Sequence, residues 1–152
     1  MKLLKGVSVL LGLVCFAGFA VAEAKINDIS NGGTSSPCKA GIIRSGNFKL
    51  TAIPQELEGL QAVSVPRGNS GAAGKGFSFK VNVPVTVYLF VDKRYQNPEL
   101  DGWKKTKMTA IWKAFGKSYQ DIICVKNFPG GTIIIPGNPP GMIPHMAVVK
   151  EQ

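Results

Sequence analysis

Glycine and proline recur through this chain from Pro54 to Pro144 and leave no stretch longer than 13 residues free of both, which argues against long helices. The two residue types number 18 and 10 in 152, above the usual share, which favours turns over long helices. Between the breaks the pattern is that of strands. Phe77-Ser78-Phe79-Lys80-Val81-Asn82-Val83 puts Phe77, Phe79, Val81 and Val83 on one face and polar residues on the other. Val85–Asp92 is apolar on both faces, as a central strand covered twice must be. Further strands are expected over 48–53, 61–65, 107–114, 121–128, 132–135 and 145–150, with turns at Phe115-Gly116-Lys117-Ser118, Pro129-Gly130-Gly131 and Gly137–Gly141. Arg67–Lys75 reads as a flexible loop. Only 55–59 and 99–105 have helical character, and each is too short to stand alone. The spacing predicts an all-β fold, an antiparallel jelly-roll-like β-sandwich of about eight strands.

The first 22 residues read as an export signal. Lys2 and Lys5 precede an uncharged apolar run that ends in Ala20-Val21-Ala22, the small-x-small pattern of a cleavage site. The run is short for a membrane span. The expected organisation is a signal peptide over 1–22, a polar lead-in over 23–38 and a β-sandwich domain over 39–152. The expected location is secreted or periplasmic, with no transmembrane anchor once the signal is removed. Losing Lys2 and Lys5 lowers the formal charge from +9 to +7. Two cysteines then remain, Cys38 and Cys124. An oxidising compartment allows them one pairing, worth up to about 4 kcal/mol for a loop of this length. The alternative is that Cys124 is a buried free thiol on a strand.

Several runs resemble bacterial secreted jelly-roll or galactose-binding-like β-sandwich modules of the kind attached to polysaccharide-degrading enzymes. They are Ile53-Pro54-Gln55-Glu56-Leu57-Glu58-Gly59, then Phe77-Ser78-Phe79, then Val87-Tyr88 followed by Asp92-Lys93-Arg94. Pro98 and Thr106, Phe128-Pro129-Gly130-Gly131 and Gly137-Asn138 continue the series over 48–150. The chain departs from the pattern where Trp103 is displaced from its usual place after Pro98. It departs again where Ile135-Pro136-Gly137-Asn138 replaces a Leu-Gly-Gly-Asn. The resemblance implies a non-catalytic module and names no ligand.

One histidine, His145, excludes a zinc site with two or three histidines and a blue-copper site. Met142, His145 and Met146 are soft ligands, but an apolar closing strand explains them without a metal, and no cofactor is implied. No carboxylate spacing demands glycoside hydrolysis. The strongest charge feature is Lys104, Lys105, Lys107, Lys113 and Lys117, with no acid among them. Such a cluster concentrates polyanions. An exported protein has little call to meet nucleic acid, and no nucleic-acid motif is present. The expected partner is therefore a polysaccharide or an anionic envelope surface. The alternative is a solvated face. Arg94 offers a planar fork for a carboxylate, unless Asp92 already fills it. Tyr95 and Trp103 flank a polar turn and are candidates for stacking on sugar rings. Tyr88, Phe90 and Trp112 are better explained as core. The leading expectation is a secreted binding module for carbohydrate or an acidic envelope polymer, not an enzyme. The alternative is a matrix protein that assembles through sheet edges and its basic face.

Overall fold

The computed structural model describes residues 23–95 and 100–152. The expected signal peptide, and Pro98 and Glu99 of the expected motifs, lie outside the described residues. Eleven strands occur in chain order: β1 (Ile26–Asn27), β2 (Thr34–Pro37), β3 (Ile43–Ser45), β4 (Phe48–Ala52), β5 (Gln61–Ser64), β6 (Phe77–Val81), β7 (Val85–Asp92), β8 (Lys104–Ala114), β9 (Lys117–Phe128), β10 (Gly131–Ile135) and β11 (Met146–Glu151). All pairings are antiparallel. They form a three-stranded sheet in the order β1-β6-β10 and an eight-stranded sheet in the order β2-β5-β11-β7-β9-β8-β4-β3, in a sandwich-like arrangement. The expected all-β fold is therefore present. The eight expected strands are β4 to β11; β1, β2 and β3 are additional and have two to four residues each. Residues 23–38 supply one edge strand to each sheet.

Gln55–Leu57 forms a single 3-10 turn. The other expected helical stretch is not helical where it is described. Trp103 N–H closes a turn on Leu100 O at 3.0 Å, and Lys104 and Lys105 already belong to β8. A short segment with no apolar stripe has nothing to hold it helical, whereas β9 pairs with its end, Lys104 with Val125 and Lys105 with Cys124.

Alternation along β7 explains both cores. Val85, Val87, Leu89 and Val91 face the small sheet and pack with Phe77, Phe79, Ile133 and Ile135. Phe90, on the other face, belongs to a second core with Phe48, Leu50, Trp112, Ile123 and Val148. The second core contains residues of β4 and of β5, which lie near opposite ends of the strand order. The large sheet must therefore curl around it. Ser45 Oγ, on β3, closes the curl by donating to Val65 O at 3.1 Å, just past β5.

Arg44 sits fully buried within the curl. Its Nε and Nη2 donate to the two Asp121 oxygens at 2.8 and 3.1 Å. Nη1 donates to Pro144 O at 2.6 Å and Nη2 to Phe90 O at 3.0 Å. One guanidinium thus ties β3 to β7, to β9 and to the segment leading into β11. Burial pushes the Asp121 carboxyl above its ordinary range, against the pull of Arg44.

The expected Cys38–Cys124 disulfide is not formed; both thiols are free and buried. Cys124 points into the core between the sheets, and Cys38 belongs to the core on the other face of the large sheet. The sheet itself separates them. Burial raises both thiols, Cys38 to about 11 with a smaller push from Glu58.

Candidate functional site

The basic face is a row rather than a cluster. β8 carries Lys104, Lys105 and Lys107 near one end and Lys113 at the other, with Lys117 just across the hairpin; all five are exposed. Lys105 and Lys113 lie eight residues apart, roughly 20–25 Å along a strand. Between them the register with β9 shifts, because the stretch Lys105–Thr109 faces only Cys124–Ile122. Thr106 stitches this bulge: its hydroxyl donates to Ile123 O at 2.8 Å and accepts from Met108 N–H at 3.0 Å.

The aromatic residues expected to stand beside the lysines are partly withdrawn. Trp103 is half-buried with its ring 5.8 Å from Phe128. Tyr95 is half-buried and lies parallel to His145, at 6.4 Å between ring centroids. Asp92 occupies the fork of Arg94, with Nη2 to Oδ2 at 2.5 Å and Nε to Oδ1 at 3.0 Å. That hydrogen bond raises the Arg94 pKa further. Trp112 is buried, stacked between Tyr119 at 4.5 Å and Phe48 at 5.5 Å. Arg94 lies 4.9 Å over Tyr119 and Arg67 lies 5.0 Å over Phe48. Cations thus cap both ends of one aromatic column, and the column fixes where Arg67 sits.

At that end the geometry changes character. The β8–β9 hairpin turns on Phe115 and Gly116, both left-handed, with φ of 51° and 71°. Glycine takes this conformation freely; a bulky side chain does so only at a cost. Phe115 is nonetheless 79% exposed, touching Phe48 edge-on at 5.3 Å. Beside it runs a groove of about 570 Å³ lined by Gly46, Asn47, Phe48, Arg67, Lys113 and Phe115, among others. Lys113 stands opposite Lys49 across the β4–β8 pair, a like-charge pairing that is unfavourable by itself. No carboxylate lines the groove among the described residues. Sequence reasoning passed over Arg67, Lys49 and Phe115. The available signal was a phenylalanine in a position that a two-residue hairpin normally gives to Asn, Asp or Gly.

A second cavity, of about 420 Å³, lies beneath the Arg67–Lys75 loop, and Arg67 lines both. The loop, expected to be flexible, is tied down by backbone hydrogen bonds. Gly74 N–H donates to Asn138 O at 2.8 Å and Gly141 N–H to Ser70 O at 2.9 Å. The two loops approach so closely that a Cβ on Gly137 would lie 2.1 Å from Gly74 O. Groups of three or more His, Cys, Asp or Glu placed to hold a metal are absent among the described residues.

No family model and no curated protein matches this sequence. A solved structure does share its architecture: a β-glucuronidase from glycoside hydrolase family 2 superimposes on 85% of this chain, with a TM-score of 0.62 and 16% identity. The match takes in 13% of that enzyme's chain, so this protein corresponds to a small part of it. At this identity the likeness is one of fold.

Proposed function

We propose that this protein is a secreted or periplasmic, non-catalytic module that binds an acidic carbohydrate polymer. The polymer lies along the lysine row of β8 and ends against the Phe115 groove. The observation that carries this reading is Phe115: an aromatic ring held exposed at backbone cost, on a groove that Arg67 and Lys113 also line. Its edge contact with Phe48 leaves most of the ring in solvent and does not by itself account for that exposure. Stacking a sugar ring on Phe115 while the two cations meet its carboxylate does. The lysine row supplies long-range attraction that salt screens over about 8 Å. The aromatic contact supplies the selective part. That the fold also occurs within a β-glucuronidase, an enzyme of sugar acids by its name, agrees with a sugar-acid ligand.

The test is calorimetric titration with polygalacturonate and with neutral dextran, at low and at high salt. Binding to the polyuronate alone, weakened at high salt but not abolished, is expected for the native protein. Phe115→Ala should remove what survives at high salt, and Lys105→Gln with Lys107→Gln should reduce binding at low salt. Equal binding to dextran, or a Phe115→Ala variant that binds like the native protein, would overturn the proposal. Concentration-dependent assembly without any polymer would favour a matrix role instead.

A further inference from the structure

The cavity beneath the Arg67–Lys75 loop carries a more specific message. Its lining includes Asn31, Arg67, Lys75, Asn138, Pro144 and His145. His145 is 2% exposed; its ring lies beside the Gly137 backbone, which supports its protonated form weakly, but neither ring nitrogen makes a hydrogen bond of ordinary geometry among the described residues. Arg67 Nε is likewise buried and unpartnered. Buried polar groups are paired in nearly all folded proteins, and each one left unpaired costs about 1–3 kcal/mol. Two such groups on one cavity wall make it a place where water or a ligand completes their hydrogen bonds.

The walls are also built rather than incidental. Asn138 is held by its Nδ2 donating to Met142 O at 3.0 Å and Pro139 O at 3.2 Å. The Asn31 amide donates to Gly76 O, tying the lead-in to the far side of the cavity. A Cβ on Gly74 would lie 2.0 Å from Asn138 Oδ1, so a larger residue there would displace the Asn138 amide. Arg44, through Pro144 O, fixes the backbone just before His145. The charges are Arg67 and Lys75, with no carboxylate in the lining among the described residues.

Two cations call for an anion. A neutral imidazole and amide groups call for hydroxyls, since each offers donor and acceptor positions. The volume is in the range of small-ligand sites. We infer that this cavity holds a single carboxylate-bearing sugar, with Arg67 and Lys75 on the carboxylate and His145 and Asn138 toward the hydroxyls. The inference deepens the reading of the protein as an acidic-carbohydrate binder. It adds a site for one sugar residue, joined to the polymer groove through Arg67.

His145 is the protein's sole histidine, so its imidazole proton signals are unambiguous by NMR. The titrants are D-galacturonate, D-galactose and acetate, at neutral pH. A saturable shift of the His145 ring signals with galacturonate is expected, with galactose and acetate far weaker. Lys75 is exposed, so Lys75→Gln should leave the fold intact and weaken galacturonate by about tenfold, the loss of one charge-assisted hydrogen bond. No shift with galacturonate, an equal shift with galactose or with acetate, or a Lys75→Gln variant that binds normally would each overturn the inference. A native protein that shifts with galacturonate but ignores polygalacturonate would refute the polymer reading and leave this site standing.

Discussion

Replacing Arg44 by Met would test how the curled sheet is held. The substitution removes four hydrogen bonds, two to Asp121 and one each to Phe90 O and Pro144 O. It leaves Asp121, itself fully buried, without its counter-charge. Stripping one member from a buried ion pair costs about 3–5 kcal/mol. For a domain of this size that is a fall in Tm of roughly 10–20 °C. Asp121 sits above the ordinary carboxylate range even with Arg44 present, because burial opposes its charge. Without Arg44 the native state would take up a proton at Asp121 more readily than the unfolded chain. Stability lost at neutral pH should then return as the pH is lowered. The double variant Arg44→Met with Asp121→Leu removes both charges and should lie within about 2 kcal/mol of the native protein, with that return absent. Urea unfolding followed by tryptophan fluorescence at two pH values measures all of this. An Arg44→Met variant within about 1 kcal/mol of the native protein would refute the reasoning.

Other outcomes follow from the same geometry. Phe115→Asn gives the hairpin an Asn-Gly turn; relief of the left-handed phenylalanine should offset the lost contact with Phe48, so thermal unfolding should show a protein at least as stable as the native one. Burial, with a smaller contribution from Arg44, holds the His145 imidazole down to about 4, while the unfolded chain protonates near 6.5. The stability this lends is whole above about pH 6.5 and is lost as the pH falls toward 4, about 3 kcal/mol in all, so His145→Gln should flatten the unfolding profile over that window. Cys38 and Cys124 should resist alkylation in the native state and both react in denaturant without reductant, as mass spectrometry would show.

Much of the fold was legible because strand periodicity is local. The alternation beginning at Phe77 became β6, and the doubly apolar Val85–Asp92 became the strand with a core on each face. What local pattern cannot carry is long-range pairing. β1 and β2 are two and four polar-rich residues that gain strand character only from β6 and β5. Arg44 reads in sequence as an ordinary cation, and its burial depends on Asp121, 77 residues away. The two cysteines invited pairing by their number alone, but they lie on opposite faces of the sheet. At the candidate site the lysines were legible as charge, yet their division between two ends of β8 was not. Trp103 drew attention by its size, and Phe115 was passed over because its meaning lies in a backbone angle.

The location of polymer binding can be read directly by mapping amide chemical-shift changes on adding an oligogalacturonate long enough to span β8. The largest changes should fall at Gly46–Phe48, at Arg67 and at Lys113–Gly116, with smaller ones running back toward Lys105. Changes centred on Trp103–Lys107 with Phe115 and Arg67 silent would place the polymer at the other end of the strand and contradict the proposed site.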